Sequence, residues 1–102
     1  MTPDIVPEDF EQVMGCTVAD LLRALPAALP GARIDTDSGA CVINGVFDDG
    51  TLKLAWQPLP ARRIALLEIP RLQVRFRYTG MTDARRREVQ RRFDLATQRG
   101  GG

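Results

Sequence analysis

The chain of 102 residues contains no histidine, only two cysteines and a single lysine. Without histidine there is no Ser-His-Asp or Cys-His catalysis, no imidazole metal ligand and no histidine pH switch. Cys16 and Cys41 form no CxxC motif, so neither a disulfide framework nor a zinc site is predicted. A glycine-rich phosphate loop is also absent from the sequence. We therefore expect a protein that is not an enzyme and that uses no metal and no cofactor.

Long apolar segments are missing as well. No run approaches the roughly 20 apolar residues that cross a bilayer. The start of the chain is acidic, whereas a signal peptide begins with a basic and then an apolar region. The sequence accordingly predicts a cytoplasmic protein with no membrane partner. Thirteen of the fourteen basic residues are arginine, a bias typical of proteins encoded by GC-rich bacterial genomes.

The charge is divided unevenly along the chain. Residues 1–50 carry nine acidic side chains and two arginines, a net charge of −7, whereas residues 51–102 have a net charge of +8. Such a split between halves points to binding of nucleic acid or of another charged partner. The alternative is that the two halves face each other in the fold and neutralise one another.

The composition indicates one small folded domain over residues 1–102, because 44% of the residues are hydrophobic and the net charge is only +1. Helices are predicted on both sides of a set of strands. Residues 7–15 have apolar side chains at helical spacing and are expected to form a short helix. A second helix begins after the N-cap Thr17 and is expected to end near Leu25, because Pro26 removes a backbone donor. Thr82 caps a third.

Between the helices, segments with alternating or continuous apolar residues predict strands at residues 33–36, 41–47, 51–56, 63–69 and 71–78. Asp48-Asp49-Gly50 is a strong signal for a tight hairpin turn. The Pro58-Leu59-Pro60 segment is expected to break a strand, and residues 63–69, apolar on both faces, to form a central one. The prediction is an α+β fold: an antiparallel β-meander of four to five strands, with N-terminal helices and one C-terminal helix packed on one face.

The most regular alternation in the chain lies between residues 71 and 78. Apolar side chains point to one face of the predicted strand and polar ones to the other. Arginines at alternate positions lie about 6.6–6.8 Å apart and bind carboxylates or phosphates through two donors each. We expect this basic face to be a binding surface, the alternative being an ordinary solvated face. The candidate site residues are Arg71, Gln73, Arg75 and Arg77, with Arg62 and Arg63 from the neighbouring strand and, where the last helix shares their side of the molecule, Arg87 and Arg91.

The arginines of the last helix also have a structural interpretation. Asp83 with Arg87, and Glu88 with Arg92, are spaced four residues apart with the acid first, which favours ion pairs within the helix. Cys16 precedes the helix capped by Thr17, where the helix dipole would lower the pKa of a thiol. Because the chain has no histidine to serve as a base, the favoured interpretation of Cys16 is a small buried hydrophobic residue.

These observations favour a binding or accessory protein that meets an acidic partner, most naturally a protein, through the basic sheet face. Two alternatives remain. One is non-specific binding of nucleic acid by the arginine-rich strand and the C-terminal helix, since the aromatic residues Trp56, Phe76 and Tyr78 are in phase with the core and unable to stack on bases. The other is a self-associating structural protein, a homo-oligomer in which the acidic half meets a neighbour's basic half.

Overall fold

Five strands and two helices follow one another in the part of the chain that the structure describes. The computed structural model describes residues 5–46 and 50–101, and the side chains of these residues apart from 46 and 98–101. The elements are β1 (Asp9–Met14), α1 (Val18–Ala28), β2 (Arg33–Asp37), β3 (Ala40–Val46), β4 (Gly50–Ile64), β5 (Leu67–Thr79) and α2 (Asp83–Gly101).

The strands form one antiparallel sheet in the order β1-β5-β4-β3-β2. Strands β2 to β5 are a meander of consecutive neighbours, whereas β1 lies at the far edge beside β5. Both helices cover the same face of the sheet, since their buried side chains belong to one core with the apolar side chains of the strands. The predicted α+β architecture, with an antiparallel sheet and helices on one face, is thus confirmed.

The core is centred on β5. The ring of Phe76 stacks on Phe10 from β1 with centroids 4.8 Å apart, and meets Phe93 of α2 edge-on at 5.2 Å. Next to them, the buried Tyr78 hydroxyl donates a hydrogen bond of 2.6 Å to the side-chain oxygen of Gln90 on α2. Aromatic pairs of this geometry contribute about 0.5–1.5 kcal/mol beyond their buried area, so α2 is fixed firmly over β5.

The segment predicted as a short N-terminal helix is instead the edge strand β1. Its apolar spacing fits a helix, but alternation fits better: Phe10 and Met14 face the core, while Asp9 and Glu11 face away. Six residues are too few for a stable isolated helix. Pairing with β5 satisfies the backbone and places Phe10 on Phe76, so tertiary contacts decide the conformation.

Helix α1 begins as predicted and ends later than predicted. The Thr17 side chain accepts from the backbone N–H of Asp20, and the Asp20 carboxylate accepts from the backbone N–H of Thr17, forming a capping box. The helix continues through Pro26 to Ala28. Proline is accommodated because it lies in the last turn, and the N–H of Leu29 still donates to the carbonyl of Leu25 at 2.9 Å.

The largest difference from the sequence prediction lies in residues 57–71. Strand β4 does not break at Pro58-Leu59-Pro60 but runs on to Ile64, and residues 63–69 are not a central strand but the end of the β4–β5 hairpin. Proline is tolerated here because β3 pairs with β4 only as far as Ala55, leaving this part of β4 at an edge. A register shift between Leu59 and Arg62 lies opposite Pro70.

The predicted turn after β3 involves residues 48 and 49, which lie outside the described residues, as does Phe47. The strands on either side of it pair antiparallel, with a bulge between Asn44 and Val46. Gly45 occupies the bulge with a φ of 76°, a conformation that glycine adopts without strain. Gly50 is required for a different reason: a Cβ there would clash with the side chain of Met81.

Candidate binding surface on the open sheet face

One face of the sheet carries no helix in the part of the chain that the structure describes; we call it the open face. Alternation along β5 places Arg75 and Arg77 there, opposite the buried Phe76 and Tyr78. The helices therefore do not cover the predicted basic face. The register of β4 adds Lys53, which pairs with Arg77. We call four cations of this face, which lie on the adjacent strands β4 and β5, the basic stripe: Lys53, Arg71, Arg75 and Arg77.

The acidic edge strand partly neutralises the basic stripe. Arg75 donates from Nε and Nη2 to the two carboxylate oxygens of Asp9 at 2.9 and 2.8 Å, and Arg77 approaches the same carboxylate at 3.5 Å. The hydrogen bond from Arg75, with the charges of both arginines, lowers the pKa of Asp9. The two halves of the chain thus do neutralise one another here, although one carboxylate serves two guanidinium groups.

Gln73 lies between the arginines and is also held by β1. Its side-chain amide donates to Glu11 at 2.6 Å. Among the described residues, the Glu11 carboxylate accepts this hydrogen bond and forms no ion pair. Gln73 and Arg75, two of the candidate site residues, are therefore oriented by hydrogen bonds across the β1–β5 pair.

The other two cations of the stripe form no ion pair with the described part of the chain. Within residues 5–46 and 50–101, neither Lys53 nor Arg71 has a carboxylate in ion-pair range. The same holds for Arg62 and Arg63, which follow further along the hairpin. The stripe has four cations, with the carboxylates of Asp9 and Glu11 beside it on β1; on the same face Asp35 and Asp37 lie on the far edge strand β2, where Asp35 pairs with Arg33. The stripe is therefore a band of positive charge between two edge strands that carry carboxylates.

Arg62 and Arg63 belong to a projecting part of the hairpin. From residue 57 to residue 71 the two strands have no third strand beside them in the described chain, because β1 begins its pairing at Leu72 and β3 ends at Ala55. We call this two-stranded segment, residues 57–71, the arm. It extends about 20 Å at the rise of a β-strand, and its residues 60–68 are all exposed.

Two shallow depressions lie on the open face. The first, of about 310 Å³, is bordered by Glu11, Gln57, Gln73 and Arg75, with Ala55 and Trp56 between them. The second, of about 460 Å³, is bordered by Asp9, Lys53 and Arg77 among others. Both are open; the lining of the first is mainly polar, whereas that of the second is more apolar than polar. Shallow, open depressions of this kind suit the side chains of a macromolecular partner better than a small substrate, which requires a more enclosed cleft.

The arginines of α2 do not join the stripe. Helix α2 packs on the opposite face of the sheet, through Phe93 on Phe76. Arg87 pairs with Asp83 at 3.3 Å, and Arg91 donates to Glu88 at 2.8 Å. The predicted pairs of Asp83 with Arg87 and of Glu88 with Arg92 are thus both present.

Arg86 has a structural role that the sequence only partly suggests. Its Nε donates to the carbonyl of Val6 at 2.8 Å and its Nη1 to the carbonyl of Met81 at 2.9 Å. The side chain is only 15% exposed, so its stem lies along the edge of the core, as expected for an arginine flanking the buried face. It ties the segment before β1 to the start of α2.

The two cysteines are buried thiols. The interpretation of Cys16 as a small buried hydrophobic residue fits its 6% exposure, and burial, together with the nearby Asp20 carboxylate, raises rather than lowers the pKa of this thiol. Burial raises the pKa of Cys41 to about 11. Both thiols are therefore protonated at neutral pH and are poor nucleophiles.

Two features of the site could not be found in the sequence. Lys53 stands out only once the register places it beside Arg77, and Asp9 only once residues 9–14 form a strand next to β5. Lys53 alternates with apolar residues in the sequence, which indicates that it lies on the polar face of its strand. This alternation does not show which strand lies beside it. The acidic partner of the stripe depends on long-range pairing, which local patterns do not encode.

Comparison with protein-family models, with curated proteins and with solved structures finds no match to this chain. Among the described residues, no helix is both long and apolar enough to span a membrane. In the same residues, no three metal-binding side chains are grouped so that they could hold an ion. The function is therefore inferred from the open face alone.

Proposed function

We propose that this protein is a non-enzymatic binding module that docks an acidic protein partner on the open face of its sheet. The observation that carries the proposal is the basic stripe. It has four cations on two adjacent strands, and its Lys53 and Arg71 have no carboxylate partner in the described chain. The sheet fixes the positions from which the cations project, and Asp9 already orients Arg75, so part of the ordering that opposes binding is already made.

The pairing of Arg75 with Asp9 supports an acidic partner. It holds the guanidinium in a fixed position on the open face, where its remaining donors can meet a second carboxylate. Arg77, at 3.5 Å from Asp9, is held less tightly. A partner surface that bears carboxylates would thus meet Arg75 already oriented by Asp9, and Lys53 and Arg71 without an ion pair in the described chain.

The composition of the open face favours a protein over a nucleic acid. None of the described strand residues that alternate onto it is aromatic, because Phe76 and Tyr78 point into the core and Trp56 packs against it. Single-stranded nucleic acids bind to sheets through stacking of bases on exposed aromatic rings. Binding of nucleic acid here would rest on phosphate contacts alone.

The experiment is affinity capture from native cell extract on three immobilised forms of the chain. These are the wild type, the variant Lys53→Gln/Arg71→Gln, and the control Arg87→Gln/Arg91→Gln, which removes the same charge from α2. We expect one acidic protein to be retained by the wild type and the control, released by salt, and lost from the stripe variant. Equal retention by all three forms, or retention abolished by nuclease, contradicts the proposal.

A further inference from the structure

The tip of the arm exposes apolar side chains. Leu66 is fully exposed (102%), Leu67 is 66% exposed and Ile64 45%. They lie next to one another around the turn, at the end of the structure furthest along the hairpin from the paired sheet. Single exposed apolar residues are common, but three together at the apex of a projecting element mark an interaction site.

The backbone at the tip is also unusual. Ala65 adopts a φ of 53°, and among the described residues it is the one non-glycine residue with positive φ. A tight hairpin turn is normally made of asparagine and glycine, which accept this conformation and are polar. Alanine and leucine neither adopt positive φ readily nor place a polar side chain at the exposed turn. The turn therefore presents Leu66 at a cost in local backbone energy, and such strain is found where function requires it.

The edges of the arm discourage strand addition. Pro58 and Pro60 lie in its β4 strand and Pro70 in its β5 strand, and each lacks the N–H that a neighbouring strand would accept. Prolines and charges on exposed edges are devices that prevent edge-to-edge pairing. A partner thus meets the arm through side chains at its tip rather than by extending the sheet.

The charges around the tip define the partner. Arg62 and Arg63 lie beside it, with Glu68 as the one carboxylate of the arm, and neither arginine has an ion pair in the described chain. Two such arms repel each other, so pairing of arm against arm between copies is disfavoured. The complementary surface is an apolar pocket with carboxylates around its rim.

We infer that the arm anchors the interface by inserting Leu66 and Leu67 into an apolar, acid-rimmed pocket of the partner protein. The inference rests on the proposed function, because the same acidic protein is held by the basic stripe. Apolar side chains seated in a pocket and surrounded by polar contacts typically carry most of the binding energy of an interface. The stripe then contributes orientation and association rate, and the tip contributes residence time.

The test places a photo-crosslinking amino acid at position 66 and, as a control, at position 95, another exposed leucine on α2 (54%). Both forms are irradiated in native cell extract, with and without excess unlabelled wild type. We expect position 66, and not position 95, to crosslink to one acidic protein. Crosslinking to a second copy, to lipid or to nucleic acid, or no crosslinking above the control, overturns the inference.

The captured protein is then purified and titrated with the wild type, Leu66→Ser and Arg71→Gln. Loss of one buried leucine is expected to weaken binding about 10- to 100-fold, at high as well as low salt. Arg71→Gln is expected to weaken it mainly at low salt. If Leu66→Ser binds like the wild type while Arg71→Gln does not, the inference fails and the proposed function stands; the reverse result contradicts the proposed function.

Discussion

Tyr78 and Gln90 form a buried polar pair that joins β5 to α2. The phenol donates to the side-chain oxygen of Gln90, whose amide in turn donates to Asp94 at 3.0 Å. Burial raises the pKa of Tyr78, with the Asp94 carboxylate adding to the effect. The hydroxyl thus remains protonated and able to donate across the physiological range.

Replacing this donor is expected to destabilise the fold. In Tyr78→Phe the oxygen of Gln90 is left buried without a donor, which costs about 1–3 kcal/mol. The double variant Tyr78→Phe/Gln90→Leu removes both partners and is expected to recover part of the loss. Denaturant unfolding of the wild type, the single variants Tyr78→Phe and Gln90→Leu, and the double variant measures this. A double variant less stable than the sum of the two single changes contradicts the assignment.

The contribution of Glu88 to the free energy of unfolding depends on pH. Hydrogen bonds from Arg91 and Arg92 lower its pKa from the usual 4.5 to about 2. A carboxyl whose pKa is depressed on folding stabilises the protein above its unfolded pKa, and this stabilisation is lost as the pH falls toward its folded pKa. The relevant window is therefore between about pH 4.5 and pH 2.

We expect the melting temperature of the wild type to exceed that of Glu88→Gln at pH 7, by a small amount because the pair is exposed. The difference is expected to shrink as the pH falls through this window. Thermal unfolding of both proteins across the pH range tests it. A difference that is the same at pH 7 and pH 2 means that Glu88 does not act through its charge.

The start of α1 is encoded locally, and this explains why the sequence predicts it. Thr17 and Asp20 satisfy each other's backbone N–H groups without help from distant residues. Thr17→Ala is expected to cost about 1 kcal/mol of unfolding free energy. Denaturant unfolding measures the effect, with Thr36→Ala on the edge strand β2 as a control without a cap. Equal stability of Thr17→Ala and the wild type contradicts the role of the cap.

Strand β1 and the arm show where local patterns fail. The side chains of residues 9–14 fit both periodicities, and only the unpaired edge of β5 decides for a strand. In residues 63–69, continuous apolar character is typical of a buried strand. Here it marks an exposed tip, because the strands extend beyond the neighbours that would cover them.

The arm is expected to be dispensable for stability. Leu66 makes no buried contact, so Leu66→Ser should change the unfolding free energy by no more than about 0.5 kcal/mol. Ala65→Gly relieves the positive φ at the turn and should not destabilise the fold. Denaturant unfolding checks both variants. A loss of several kcal/mol with Leu66→Ser would show that the tip packs within the chain rather than against a partner.

Of the properties of the whole molecule, the charge distribution is predicted best from the sequence. The acidic N-terminal half supplies β1, the basic C-terminal half supplies β5, and Asp9 meets Arg75 where they pair. The sequence identifies Arg71, Gln73, Arg75 and Arg77 as one face because alternation is local. It does not show that the helices leave this face open or that the α2 arginines lie on the other side, since both depend on how layers pack.

The most direct test of a binding surface on the open face is to map where an acidic peptide binds to the protein. Isotope-labelled protein is titrated with a short Glu-rich peptide at about 50 mM and about 300 mM salt, the latter shortening the range of the charges. NMR signals of the backbone and of the arginine side chains are followed. We predict shifts at Lys53, Arg71, Arg75 and Arg77 that weaken at the higher salt concentration. Shifts confined to the arginines of α2, or no shifts at either salt concentration, would contradict a binding surface on the open face.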